Sequence, residues 1–539
     1  VNETATEPAA PGVPLSQRVA PYRWRLILTA LAVLGLLTRL AGLSHPTDGG
    51  TPVFDEKHYV PQSWQILQDG WFAGVGGIED NPAYGLVVHP PLGKHIEAIG
   101  LAVFGNTPFG WRVMAALCAV AVIVLCAAVT RRIMLAARDS AAVADWAGLA
   151  AGVLALSDGI LFVTGRSGML DHFQVLFVVL AAYLLVRDHS QMESLFHRVV
   201  DEDRMDATLY GPRVGYRWWR FAAGVALGCA FAVKWSGLYY MAFFGLAAVG
   251  VDWWRRRRHG VRKPLRGTLL RDCVPAFASL VIVPAIVYVL SWRTWFSSET
   301  SVFRHEAEAG NSRIDGWGLN FLPDSWLNFL YYHLSVLDFH EELTNSNGHH
   351  HPWESKPWDW IASTRGLLYY SENNDTNGTK EVVLLTGTPI IWFLAAPVLL
   401  WGLWRLAVRR DARWVVPVVG YLAGFLPWLL NVDRQMYLFY ATNLAPFIVI
   451  GLGILLGRVA TWSLSPAAPA APAAPAAPAR RSGAAGRLTS FWLHRTGYAL
   501  GLIYLVLAVA MFLFFLPVFT GMPLSHHAWQ LRMWLPGWT

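Results

Sequence analysis

Apolar runs of about 20 residues recur along the whole chain, each closed off by a short polar or basic stretch. They fall near residues 25–43, 111–130, 145–164, 170–186, 219–234, 236–252, 273–291, 389–407, 414–430, 435–456 and 495–517. This pattern predicts an all-α polytopic membrane protein of about eleven transmembrane helices. A transmembrane barrel requires short strands of alternating polarity, which the chain lacks. The two runs on either side of Lys234 are short and read as a tight helical hairpin.

Basic residues orient the spans. Arg18, Arg23 and Arg25 precede the first run, Arg131 and Arg132 follow the second, and "RRRRHGVRK" (Arg255 to Lys263) and "RRDAR" (Arg409 to Arg413) close later ones. By the positive-inside rule these clusters are cytoplasmic, with the N-terminus inside and the C-terminus outside; a plasma-membrane location is the accompanying expectation. Residues 1–24, rich in Ala, Pro and Thr, read as a disordered cytoplasmic N-terminus. The first run, behind its arginines, reads as an uncleaved anchor. Residues 25–456 form the transmembrane core, with extracytoplasmic loops at 44–94 and 293–388. A cytoplasmic Pro/Ala-rich linker at 457–494 leads to a last span and an extracytoplasmic tail at 495–539.

Composition agrees: of 539 residues, 54% are hydrophobic and only 15% charged, well below a soluble domain. The net charge of +7 is accounted for by cytoplasmic loops, so nucleic acid is not an expected partner. Cys118, Cys126, Cys229 and Cys273 lie within or at the ends of apolar runs without metal-ligand spacing, and read as packing residues.

On this topology the remaining ionisable residues gather on the outer side. Asp55 and Glu56 stand in "TPVFDEKHYVPQSWQIL", and His89 and Lys94 in "VVHPPLGKHIEAIG". Arg166 and Asp171 stand in "TGRSGMLDHF", Lys234 in "VKWSGLYY", and Asp433 and Arg434 in "LNVDRQMYLFY". Singly, each has a plain reading: a solvated acidic pair, snorkelling lysines, an Arg166–Asp171 pair or a helix cap. Together, cations at span ends on the side the positive-inside rule disfavours imply a shared anionic ligand. One carboxylate beside such a site suits a reaction in which a hydroxyl loses its proton as it attacks. His349, His350 and His351 have no acidic partner at metal-ligand spacing; Trp353, Trp358 and Trp360 suit an interfacial or sugar-stacking surface. Asn374-Asp375-Thr376 and Asn377-Gly378-Thr379 match glycosylation sequons.

"FDEKHY", "HPPLGK", "GRSGMLD", "KWSGLYY", "HPWESKPWDW" with "TRGLLYY", and "DRQMYLFY" follow in this order. The set resembles the protein O-mannosyltransferases, specifically their actinobacterial branch, from about Arg25 to the last span. The resemblance implies a GT-C-type membrane glycosyltransferase whose two extracytoplasmic loops form the active-site region. Such enzymes move mannose from polyprenyl-phosphate-mannose to Ser or Thr of secreted polypeptides. By that resemblance Asp55 is the catalytic base, Glu56 shapes the site by pairing with Arg166, and Arg166, Lys234 and Lys94 hold the donor phosphate. Trp353, Lys356 and Arg365 line the site from above, with His89, Asp171, Asp433 and Arg434 around them. No metal or cofactor is implied. The partners are the lipid-linked donor, membrane lipids and acceptor polypeptides delivered by the secretion machinery. The 293–388 loop is too short for the β-trefoil module of eukaryotic relatives. Two alternatives are a GT-C transferase acting on a lipid or cell-wall glycan, such as an aminoarabinose transferase, and a transporter of polyprenyl-linked sugars. The transporter requires mid-span ionisable residues and internal repeats.

Overall fold

The computed structural model describes residues 22–68, 88–202, 209–310, 318–319, 321–374, 378–461 and 484–539. Most of the N-terminal stretch, the Pro/Ala repeat of the linker and the heart of the two sequons lie outside the described residues.

Ten of the eleven predicted runs fall largely on one helical segment each, and the run at 145–164 is split between two. Seven helical segments are long and apolar enough to cross a membrane: Pro108–Ala136, Asp171–Asp201, Pro264–Ser291, Pro389–Ala407, Ala412–Leu429, Leu438–Ala460 and Thr496–Thr520. The other four runs lie on Arg23–Leu40, with three arginines, on the shorter Ala141–Leu156 and Trp218–Val233, and on Gly237–Arg258, which ends in four arginines. The caps are local and physical. Thr107 accepts a hydrogen bond from the Gly110 amide ahead of Pro108, and Ser140 accepts one from Val143. The run predicted as one span at 145–164 is broken. Asp158 caps a new helix, Gly159–Thr164, by accepting from the Leu161 amide at 2.9 Å, and its second oxygen takes the Trp392 indole at 2.6 Å.

Leu438–Ala460 is the centre of the bundle, with nearly all of its apolar stretch buried, whereas most of the apolar stretch of Pro264–Ser291 is left uncovered and forms the rim. Small residues set the closest approach: a Cβ on Gly453 would lie 2.8 Å from the Ala147 carbonyl oxygen of the neighbouring helix. At one end the basic clusters meet acidic partners. Asp145 binds Arg23 and Arg131, and Asp139 binds Arg413 at 2.9 Å. The opposite end carries helices Glu56–Gln68, Leu92–Phe104 and Asp324–Glu342.

The same end carries a small sheet that apolar-run reading does not reveal. Strands β1 (Leu367–Asn374), β2 (Thr379–Leu385) and β3 (Leu524–Ser525) pair antiparallel in that order. The C-terminal segment is tied to it: Trp538 is buried with its indole on the Ser363 carbonyl at 2.9 Å, and Gly366 donates to Gly537 at 2.9 Å.

Candidate active site

Asp55 sits immediately before helix Glu56–Gln68, and its carbonyl accepts from the amides of His58 and Tyr59. The residue before it, Phe54, has a positive φ of 50°, a conformation a bulky side chain rarely adopts. Phe54 is held by rings on both sides: it stacks on Tyr369 at 4.6 Å and meets Phe439 edge-on at 6.3 Å. The strained residue therefore aims Asp55 within a packed frame. The Asp55 carboxylate is half-buried and has no hydrogen-bond partner among the described residues. Burial pushes its pKa up to about 6, with Lys234 pulling it down and Asp171 raising it. A carboxylate so poised is free to take a proton from an incoming hydroxyl.

Glu56, its neighbour, is fully engaged. It takes Arg112 Nε at 2.7 Å and Nη2 at 2.8 Å, the Gly168 amide at 2.7 Å and the Val53 amide at 3.1 Å. Its partner is thus Arg112, not the expected Arg166. Arg166 lies at the C-terminal end of the first helix and donates to the carbonyls of Thr38, Arg39, Ala41 and Gly42 at 2.7–3.2 Å. A cation there answers the unpaired carbonyls of a helix end. Backbone thus engages Nη1 and one Nη2 hydrogen of Arg166, while its Nε–H has no partner among the described residues.

Lys234 fills the turn between Trp218–Val233 and Gly237–Arg258, as the hairpin reading anticipates. It is buried, pairs with Asp171 at 2.9 Å and lies over the Phe439 ring at 5.1 Å. A narrow cleft adjoins it, lined among others by Asp171, Gln174, Trp428, Tyr440 and Asn443. Two buried acceptors of that lining, Asp171 Oδ2 and Asn443 Oδ1, lack hydrogen-bond partners among the described residues. Unanswered buried acceptors beside such a cleft suit a group that donates from hydroxyls.

Arg434 donates to the Tyr440 hydroxyl at 3.1 Å and contacts His340 Nδ1 at 2.9 Å. No carboxylate pairs with it among the described residues. Burial, then Arg434, holds His340 at about 4, so it is neutral at pH 7. His89 faces Tyr59 at 5.8 Å and His340 at 6.4 Å, and burial with the surrounding cations keeps it neutral as well. Lys94 stands in the first turn of Leu92–Phe104, as expected, but it is fully buried and donates to the His89 carbonyl at 2.8 Å. Burial lowers its pKa to about 7, so it is a weak source of fixed charge.

The remaining residues brace the loop. Lys356 donates to Asn345 Oδ1 and to the Arg434 carbonyl, Asp433 accepts from Ser346, and Arg365 donates to the Pro352 carbonyl at 2.7 Å. Trp353 packs half-buried on the main core. These contacts fasten residues 345–365 to the 433–437 segment, which carries Arg434. The only metal-capable trio among the described residues is Glu193, His197 and His259, and there Arg255 and Arg258 already pair with the glutamate.

Sequence reasoning missed Arg112, Tyr59, His340, Tyr369 and Asn443. Arg112 bears the mark that singled out Arg166, a cation beside an apolar run, in "FGWRVMAAL". The others are ordinary residue types, placed by long-range packing.

Residues 81–297 match the family model of dolichyl-phosphate-mannose-protein mannosyltransferases, and residues 325–538 match that of the C-terminal four-transmembrane region of protein O-mannosyltransferase. The chain is 46% identical to the polyprenol-phosphate-mannose–protein mannosyltransferase of Corynebacterium glutamicum, covering 99% of this chain and 96% of the relative. It is 42% identical to the protein of the same description from Mycobacterium tuberculosis, over 95% and 91% of the two chains. Its fold matches the Saccharomyces cerevisiae Pmt1-Pmt2 protein O-mannosyltransferase complex bound to the sugar donor, with a TM-score of 0.69 at 15% identity, over 96% of this chain and 93% of that one. The chain belongs to the protein O-mannosyltransferase family.

Proposed function

We propose that this enzyme transfers mannose from polyprenyl-phosphate-mannose to Ser or Thr hydroxyls of secreted polypeptides, with Asp55 as general base. The observation that carries the assignment of the base is the unbonded, half-buried Asp55 carboxylate beside the buried Lys234–Asp171 pair. Phosphate is already a good leaving group, so the donor needs cations at its phosphate more than a proton. Lys234 and Arg434 supply them. The acceptor oxygen attacks the anomeric carbon from the face opposite the phosphate, and the carbon–phosphate-oxygen bond breaks as the carbon–acceptor-oxygen bond forms. The hydroxyl proton passes to Asp55, and the polyprenyl phosphate leaves with the bonding pair. A β-linked donor thereby yields an α-mannoside.

The gathering of Arg23, Arg131 and Arg413 at the end away from Asp55 supports a cytoplasmic N-terminus, with the site at the outer face of the plasma membrane. Acceptors reach that face as they are secreted.

The arginines separate cleanly. Arg434→Ala is expected to raise the apparent KM for donor about 10- to 100-fold, the loss of one charge-assisted bond, with a smaller fall in Tm than Arg166→Ala gives. Arg166→Ala is expected to lower Tm with little change in donor KM. The reverse pattern would return the phosphate to Arg166. The function itself is tested with purified full-length enzyme, labelled polyprenyl-phosphate-mannose and two peptides, one rich in Ser/Thr and one with Ala in their place. Label in the first peptide alone is the expected result. Label confined to added lipid or glycan acceptors would identify a glycan-modifying transferase instead.

A further inference from the structure

Tyr369 belongs to no motif role assigned above, yet its placement is unusual in three independent ways. First, the β1–β2 register runs Leu367↔Leu385, Leu368↔Leu384, then Tyr370↔Val383, so Tyr369 is the extra residue of a β-bulge. Bulges re-aim a side chain and recur beside active sites. Second, the re-aimed ring stacks on Phe54 at 4.6 Å with planes 12° apart, bracing the residue that directs Asp55. Third, Tyr369 is 5% exposed, and its hydroxyl has no hydrogen-bond partner among the described residues. Burial, and then the charges of Asp171, Asp55 and Glu56, keep that hydroxyl protonated and a donor. A buried donor left unanswered, near enough to Asp55 and Asp171 to feel their charges, together with the unanswered acceptor Asp171 Oδ2, is matched by a ligand with both hydroxyl oxygens and hydroxyl hydrogens.

We propose that Tyr369 is a specificity-determining residue: its hydroxyl donates a hydrogen bond to one hydroxyl oxygen of the transferred sugar, while its ring holds Phe54 and so the aim of Asp55. The inference rests on the mannosyl-transfer reading above. A site built to bond a sugar hydroxyl rejects the sugar that lacks it, because the buried group is then left unpaired.

The test is a cycle between enzyme and donor, using full-length parent and Tyr369→Phe. The donors are polyprenyl-phosphate-mannose and its 2-, 3-, 4- and 6-deoxy analogues. Tyr369→Phe keeps the stack and deletes an unpaired polar atom, so its Tm should equal or exceed the parent's. Its kcat/KM with mannose should fall about tenfold or more. With one deoxy analogue, which the parent uses poorly by a similar factor, parent and variant should be equal. The pH midpoint of the rate should stay where it is in the parent. Equal losses on every donor, no loss on any, a lower Tm, or a shifted pH midpoint would each overturn the inference; the last would place the hydroxyl on Asp55 itself. A parent that moves no mannose to peptide would overturn the underlying reading first, a result distinct from all of these.

Discussion

Asp55→Asn is expected to lose about 10²- to 10⁴-fold of single-turnover mannosyl transfer while still binding the lipid donor. Asn copies the shape of the carboxylate but cannot take a proton. The cations assigned to the phosphate, Lys234 and Arg434, are untouched by the change. The parent's transfer rate should rise with pH through about 6 and level off above it, since only the ionised carboxylate is a base. In Asp55→Asn that rise should vanish. Stability separates this from misfolding. Asp55 has a folded-state pKa above its unfolded value, so the stability it contributes is fully present below the unfolded value of about 4 and is lost as pH rises through about 6. Removing the charge removes that cost, and Asp55→Asn should have a Tm at pH 7.5 no lower than the parent's. Near-normal transfer by this variant would move the base elsewhere, with Asp171 and Asp433 next to be tested.

Glu56→Gln is expected to fail differently, through the fold. Glu56 and Arg112 are 1% and 2% exposed, and the ion pair between them is bidentate. Gln leaves the Arg112 guanidinium buried without its counter-charge, a loss of about 3–5 kcal/mol. Arg112→Met leaves the carboxylate stranded and should cost a similar amount. The double variant, with neither charge, should be more stable than either single one. The pair ties helix Glu56–Gln68 to helix Pro108–Ala136, and the Gly168 amide joins the turn before helix Asp171–Asp201 to it, so transfer should fall along with Tm. Thermal unfolding of the three variants checks this. If Glu56→Gln keeps the parent's Tm but loses transfer, Glu56 rather than Asp55 is the base.

The helices were legible because apolar length and basic flanks are local properties, and a bilayer enforces both. The break at Asp158 was not, because its capping of Leu161 and its bond to Trp392, 234 residues away, are tertiary facts. The acidic pair and its surrounding cations were legible as a set, from their motifs and shared side. Their pairing was not. Arg112 and Arg166 both stand at span ends, and only packing puts one against a carboxylate and the other against the carbonyls of Thr38 to Gly42. Tyr369 was invisible for a related reason: a bulge exists only in the register between two strands, and the small sheet left no trace among apolar runs of membrane length.

The central claim is that one base activates the acceptor while cations hold the leaving phosphate, a single displacement at the anomeric carbon. The most direct test is the anomeric configuration of the mannose recovered on a Ser/Thr peptide from a β-linked polyprenyl-phosphate-mannose donor, read from the one-bond carbon–hydrogen coupling of the product. The account predicts an α-mannosyl peptide. A β-mannosyl peptide would require a second displacement through a covalent sugar–enzyme bond, and would contradict the assignment of Asp55 as base.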